Sequence, residues 1–403
     1  MKNILLLTSV YPATDFSKDT TPVVHYFARE WVKKGYNVEV IHNEKYFPRI
    51  TYFVINIFRK VISKYYKFIF PTKCYSEEKH YSSEGVNIHR LPIFKMSPFS
   101  LFSNKTLSLQ LERIKKLMIS LSFSPDVVIG HWANPQLFLI RELGKYYNVP
   151  TCMVLHNDVE IIYRIYGTHA AQIVKSIDIW GFRSNKIKNR FENLFGKINT
   201  SFFCYSGIPA SNINPPRRIF KNGIRNFLFV GLFISRKYPT VLIKAINNAF
   251  YGEDFHITFI GEGREKKNIE HLARKLNIRD KVSLPGRLPR SEVFKMMKAS
   301  DCFIMVSKPE TFGLVYLEAM SMGCITIGSK GEGIDGVIEH GINGFLSEAG
   351  NDKKLAELLK KISTMPEKDL ISISENAIHT TWQLTDENVA KQYIESVTAI
   401  KSI

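Results

Sequence analysis

Short apolar runs of strand length punctuate the first half of the chain: 3-NILLLTS-9, 37-NVEVIH-42, 86-VNIHRLP-92, 126-DVVIGHW-132 and 151-TCMVLH-156. Between several of them the apolar positions switch to helical spacing, as in 21-TPVVHYFAREWVKKG-35 and 105-KTLSLQLERIKKLMISL-121. Strands alternating with helices predict βαβ units and a parallel sheet. A stretch rich in Pro, Asn and Gly, 207-GIPASNINPPRRIFKNGIRN-226, reads as a linker. The scheme then restarts with 226-NFLFVGL-232, 256-HITFIGEG-263, 281-KVSLPG-286, 302-CFIMVS-307 and 324-CITIGS-329. Helical spacing separates these too, at 240-TVLIKAINNAF-250 and 265-EKKNIEHLARKLN-277, and 383-QLTDENVAKQYIESVTAIKS-402 reads as a closing helix. The expected fold class is α/β, with two Rossmann-like domains facing across a cleft. They cover residues 1–205 and 206–380, and a C-terminal helix at 381–403 is expected to pack back on the first domain. Ligands of such sheets bind beyond the carboxyl ends of the strands, so the loops after the strands should carry the chemistry.

Composition changes this picture in one respect. Hydrophobic residues at 45% and charged residues at 23% are ordinary for a globular protein, but the net charge is +18. Residues 1–200 hold 28 Lys and Arg against 15 Asp and Glu, so most of the excess lies in the first half. An anionic partner is expected: a membrane surface, a nucleic acid or a phosphorylated substrate. No helix-turn-helix, zinc-finger or RNP-type signature accompanies the charge, so nucleic acid is the weaker choice. Five scattered cysteines without a CxxC pair read as free thiols of a reducing compartment. The start, 1-MKNILLLTSVYP-12, reads as a first buried strand rather than a signal peptide.

One strand-to-helix turn concentrates candidate chemistry. In 308-KPETFGLVYLEAMSMG-323 the spacing predicts a helix over Leu314–Ser321 with Thr311 as its N-cap. The amides of Phe312, Gly313 and Leu314 would meet an anion, and Gly313 would let a ligand approach the backbone. Glu310 and Glu318 could accept from hydroxyls on either side of that anion; the plainer alternative is a capped helix with solvated acids. No Asp-x-Asp and no His/Cys set with ligand spacing is present, so no metal and no cofactor is expected. Neither half has G-x-G-x-x-G after its first strand, which argues against a dinucleotide enzyme.

The E-x7-E block, 229-FVGLFISRKYP-239, 260-IGEG-263, 284-LPGRLP-289 and 341-GINGF-345 follow one another in an order that resembles glycosyltransferase family 4, which has the GT-B fold. The resemblance is strong over residues 200–350 and loose before them. It implies a retaining glycosyltransferase that moves a sugar from a nucleotide-sugar to a hydroxyl of a glycan, expected to be lipid-linked. Glu310 would bind the donor sugar's hydroxyls and Glu318 the ribose, and the amides from Thr311 and Phe312 to Val315 would meet the sugar and diphosphate. Gly231 would permit close backbone approach, and Arg236 and Lys237 would stabilise the departing diphosphate. Gly261 would lie near the donor, and the loop around Arg287 would meet the nucleobase. In the first half, the resemblance makes His156 an active-site residue, with His131 and Asp158 on the acceptor side. Two departures stand out. The loop 11-YPATDFSKDTTP-22 has no glycine pair, so acceptor contacts are not carried over, and 335-DGVI-338 has Gly336 where many members have the Glu of Pro-Glu-Val-Ile, so no role is assigned there. A nucleotide-sugar 2-epimerase of the same fold is the alternative within the class, and a basic nucleic-acid-binding protein the alternative outside it.

One segment stands apart from the shared pattern. From Lys45 to Lys73 there are seven Lys and Arg and no acid. Within 51-TYFVINIFRKVISKYYKFIF-70 helical spacing gathers Arg59, Lys60, Lys64 and Lys67 on one face and Phe53, Ile57 and Val61 on the other. A basic, aromatic, amphipathic helix suits an anionic membrane interface, although a helix packed on the core with a solvated basic face has the same spacing. With no apolar stretch long enough to span a bilayer, the expected location is cytoplasmic, peripheral on the membrane's inner face.

Overall fold

The computed structural model describes residues 2–12, 22–65, 74–157, 159–198 and 200–399, and of 58–65 the backbone alone. The chain divides into two compact units. The first comprises Met1–Phe182, Arg190–Cys204 and Ala390–Ile403; the second comprises Arg183–Asn189 and Tyr205–Val389. Two short segments therefore fold away from their neighbours in the chain: 183–189 with the second unit, and the residues from Ala390 onward with the first.

The first unit is built on an eight-stranded sheet. Its spatial order is Ser201–Phe203, Ile179–Phe182, Thr151–Leu155, Val127–His131, Asn3–Thr8, Asn37–His42, Val86–Arg90 and Lys79–Ser83. All pairs are parallel except the last, whose short connection through Glu84 and Gly85 makes a hairpin. Asn3–Thr8 is the central strand, and Ile4 to Leu7 are completely buried, as a strand covered on both faces requires. Each such side chain contributes about 1.5–3 kcal/mol of burial free energy. The helix Val23–Lys33 packs Val24, Phe27, Ala28 and Trp31 inward on one stripe. Asn104–Ser120 starts where the Ser103 hydroxyl accepts from the Thr106 amide, one turn in.

The second unit carries a six-stranded, fully parallel sheet. Its order is Val282–Gly286, His256–Ile260, Asn226–Val230, Cys302–Ile304, Ile325–Ser329 and Phe345–Ser347. Numbered along the chain this is 3-2-1-4-5-6, the doubly wound order in which the direction of winding reverses between the first and fourth strands. The same reversal occurs in the first unit between Asn3–Thr8 and Val127–His131. A crevice opens beside such a reversal, because the helices leave it on opposite faces of the sheet.

Four of the five cysteines are buried and Cys74 is exposed, all as free thiols. Among the described residues no helix is long and apolar enough to cross a membrane. The basic helix runs Arg49–Tyr65. Lys67 and Asp158 lie outside the described residues, as do the side chains of Arg59, Lys60, Val61 and Lys64. At the near end of that helix Tyr52 and Ile55 turn inward, while Ile50, Phe53, Val54 and Ile57 are exposed, Phe53 at 63% and Ile57 at 58%. Phe53 and Ile57, at the described start of the apolar face, are therefore not packed on the core.

Candidate active site

At the winding reversal of the second sheet, two loops meet. One follows Asn226–Val230 and carries Gly231, Arg236 and Lys237; the other follows Cys302–Ile304 and carries Ser307 and Glu310. Gly231 lies close under the next loop: a Cβ on Gly261 would sit 1.9 Å from the Gly231 carbonyl oxygen, so only glycine fits there. The Lys308 amide donates to the Arg236 carbonyl at 2.8 Å and the Arg236 guanidinium donates to the Pro309 carbonyl at 2.8 Å, which stitches the two loops together.

Glu310 is the hub. Its Oε2 accepts from Lys237 Nζ and from the Ser307 hydroxyl at 3.0 Å, with Arg236 Nη1 at 3.7 Å. Burial alone would raise its carboxyl pKa, but Lys237, Arg236 and Ser307 outweigh burial and hold it below the usual range. Lys237 is shifted down as well, because burial of the ammonium outweighs the help it receives from Glu310. Beneath this pair lies a second one. The Glu310 amide donates to Glu332 Oε2 at 2.8 Å, and Lys186 Nζ spans both Glu332 oxygens at 2.7 Å. Gly333 closes the turn, donating to the Glu310 carbonyl at 3.0 Å; a Cβ there would lie 2.0 Å from the Thr311 carbonyl oxygen.

The helix after Glu310 runs Leu314–Ser321 as expected, but Thr311 is not its N-cap. Gly313 occupies that position in a left-handed conformation with φ 82° and no side-chain cap. The chain needs the left-handed turn to redirect into the helix, and a Cβ at Gly313 would meet the Tyr316 ring at 2.6 Å. Thr311 is half-buried two residues earlier. Phe312 is buried, with its ring tilted against Tyr205 at 5.7 Å and the Arg183 guanidinium 5.5 Å over it. Leu314 and Val315 open the helix, half-buried. One turn further, Glu318 pairs with Arg290, and burial pushes its carboxyl up against Arg290's opposing pull. Arg287 is exposed on the loop after Val282–Gly286.

The strand ends of the first unit carry a different arrangement. His131 ends one strand and His156 follows the next, and their rings share a hydrogen bond of 2.9 Å between Nδ1 and Nε2. The other nitrogen of His131 lies 3.1 Å from the Tyr393 hydroxyl. Trp132 stacks on His156 at 3.7 Å with the rings 13° apart. Trp132 holds φ at 64°, a left-handed conformation that costs a bulky residue of order 1–3 kcal/mol and is retained where the surroundings enforce it. Both rings border a cavity of 430 Å³ at the carboxyl edge of the sheet, against the Ser9 and Asn157 loops.

The structure thus gathers Gly231, Arg236, Lys237, Gly261 and Glu310 around one reversal point, and His131 and His156 around the other. Sequence reasoning missed Lys186, Ser307 and Glu332, which position Glu310, as well as Arg290 and Trp132. Glu332 had a visible signal: it is a carboxylate three residues beyond the buried strand Ile325–Ser329. Lys186 had none, being 146 residues away in sequence.

The family model for glycosyl transferases group 1 matches residues 213–380. A glycosyltransferase of Methanocaldococcus jannaschii is 28% identical over 291 residues, spanning 71% of this chain and 77% of its own. The lipopolysaccharide core biosynthesis glycosyltransferase LpsD of Rhizobium meliloti is 29% identical over 142 residues, spanning 35% of this chain and 40% of LpsD. Among solved structures, Anabaena HepE in complex with UDP matches with a TM-score of 0.67 at 16% identity, covering 99% of this chain and 100% of that one. At so low an identity the likeness is one of fold, and it spans both units. Residues 213–380 thus match the glycosyl transferases group 1 family, and both units share the fold of solved glycosyltransferases.

Proposed function

We propose that the protein is a retaining, metal-independent hexosyltransferase. Its second unit takes a nucleotide-sugar, and its first takes a lipid-linked glycan of cell-surface polysaccharide synthesis. The observation that carries this reading is the Lys237–Glu310–Ser307 cluster at the winding reversal of the second sheet. Glu310, kept ionised by its cations, accepts from donor-sugar hydroxyls. Arg236 and Lys237 supply positive charge where the leaving diphosphate gains negative charge, which is worth most in a site poor in water. The amides entering the helix at Leu314 and Val315 receive the diphosphate oxygens, and Glu318, braced by Arg290, accepts from the ribose. His156, held by His131 and stacked under Trp132, positions the acceptor hydroxyl. That hydroxyl attacks from the side on which the diphosphate leaves, and the departing diphosphate takes its proton, so no protein nucleophile is needed. Anabaena HepE was solved with UDP, which makes UDP-sugars the first donors to test, and the likeness to LpsD supports a surface-glycan acceptor.

The test is transfer of labelled sugar from UDP-, GDP- and dTDP-sugars to lipid-linked glycan extracts, in the presence of EDTA. Wild-type turnover should survive EDTA, and Glu310→Gln should lower it by about 100-fold or more; near-normal turnover in the variant overturns the role given to Glu310. A changed sugar formed without any acceptor would instead identify a 2-epimerase. We also propose that the exposed face of the helix Arg49–Tyr65, with Phe53 and Ile57, rests on an anionic bilayer. Phe53→Glu with Ile57→Glu should release the protein from anionic vesicles in sedimentation; unchanged sedimentation refutes the contact.

A further inference from the structure

The 430 Å³ cavity of the first unit carries more charge than a neutral sugar requires. Three cations line it: Lys45, Lys95 and Arg164. Among its described lining residues there is no Asp or Glu. The three come from separate segments that the fold brings together. Lys45–Tyr46 and Ile93–Phe94 pair as a short parallel ladder, with Lys45 opposite Ile93 and the Lys95 amide donating to the Tyr46 carbonyl at 2.9 Å. Arg164 comes from the helix Ile161–Tyr166 and donates to the Phe99 carbonyl. Lys95 Nζ donates to the Pro98 carbonyl at 3.1 Å and lies 5.4 Å from the centre of the Phe102 ring. Carbonyls and a ring face orient Lys95 and Arg164 without neutralising them. Burial first, then Lys45 and Arg164, pushes the Lys95 ammonium down to about 8. Like charges held around one cavity repel one another unless an anion enters.

We propose that Lys45, Lys95 and Arg164 form an anion subsite of this cavity that takes a phosphoryl group of the acceptor. The proposal rests on reading the first unit as the acceptor-binding one and narrows that reading to phosphorylated acceptors. A guanidinium can grip a phosphoryl group with two parallel hydrogen bonds, and the two ammonium groups supply the remaining charge. The apolar side of the same cavity, with Phe102 and Trp132, suits a sugar ring beside the phosphate.

Lys95 is its own reporter, because a partly deprotonated amine reacts with acetic anhydride near pH 8. Acetylation of Lys95 would be followed by mass spectrometry with inorganic pyrophosphate, with vesicles carrying a polyprenyl diphosphate, and with methyl glucoside. The two phosphoryl probes should protect Lys95 and methyl glucoside should not. Lys45→Gln and Arg164→Gln, both at exposed positions, should raise the half-protecting concentration at least tenfold, whereas Arg236→Gln in the other unit should leave it unchanged. Vesicles acting far below the pyrophosphate concentration would mark the phosphoryl group as lipid-borne; equal action would mark it as soluble. Absence of protection, protection by methyl glucoside, or indifference to Lys45→Gln and Arg164→Gln overturns the subsite. Thermal stabilisation by UDP-, GDP- and dTDP-sugars, measured in the same variants, reports the donor site separately, so that the subsite can fail while the donor reading stands.

Discussion

The two sheets end in loops of opposite electrostatic character. At the reversal point of the second, every cation that approaches Glu310 or Glu332 is matched at once: Lys237 and Arg236 by Glu310, Lys186 by Glu332. In the first unit's cavity, three cations share one space with no described acid among the lining residues. Under the proposed function, the difference shows how two loops of the same kind of sheet would divide a task. Paired charges fix geometry before any ligand arrives, which is what positioning a sugar requires. Unpaired charges leave a deficit that only a ligand can fill, which is what selecting an anionic acceptor requires. The sequence carries the same asymmetry in coarse form, with most of its excess charge before residue 200.

Three changes would break or sharpen this contrast. The largest effect is expected from Lys237→Met. It leaves the Glu310 carboxylate buried with Arg236 at 3.7 Å as its remaining cation, and breaking a buried pair from one side costs about 3–5 kcal/mol. Melting should fall accordingly, and adding Glu310→Gln should restore part of it; a Lys237→Met protein as stable as wild type would mean that the pair is not prebuilt. A smaller loss is expected from Glu332→Gln, which keeps the shape but weakens the grip on the Glu310 amide and on Lys186. Turnover should drop about tenfold, and a KM for donor that rises with it would place the effect in positioning.

The smallest and most diagnostic effect concerns pH. Lys95 titrates at about 8 in the fold, below the roughly 10.4 of an unfolded lysine. Between those values the unfolded chain holds more protons, so ligand-free stability should rise as pH climbs from about 8 toward 10. Pyrophosphate affinity for the first unit should move the other way, weakening across the same range as Lys95 loses its charge. Titration of binding between pH 7 and 9 checks this. A flat profile would remove Lys95 from the anion's surroundings.

Most of the sheet strands were visible as apolar runs because strands covered on both faces are built mainly from apolar residues. Lys79–Ser83, Ile179–Phe182, Ser201–Phe203 and Phe345–Ser347 were not: the first is mostly exposed and polar, and the others are three or four residues long, too short to show a period. The loop from Lys308 to Gly323 was legible because its parts are local: a strand, a carboxylate, a glycine and a helix in sequence order. What that loop rests on was not legible, since Lys186 and Glu332 reach Glu310 through tertiary structure alone. Thr311 was expected as a cap on residue type, but the left-handed turn at Gly313 decided the matter. Likewise, nothing in 129-IGHWANP-135 announces that Trp132 would take a left-handed conformation and lie flat on His156. The basic segment after Lys45 was legible as charge, yet the cavity it borders needed Lys95 and Arg164 from two other segments.

The closing helix has a consequence for synthesis. The Trp31 indole donates to the Ala390 carbonyl at 2.8 Å across 359 residues, and Tyr393 packs against Phe27 and Trp31 while reaching His131. A ribosome adds about 5–20 residues per second, so the first unit to emerge waits tens of seconds for its last piece. Through that interval Phe27 and Trp31 lack their cover, and the nascent chain offers them to any chaperone nearby. The second unit can finish folding first, which makes the order of maturation the reverse of the order of translation.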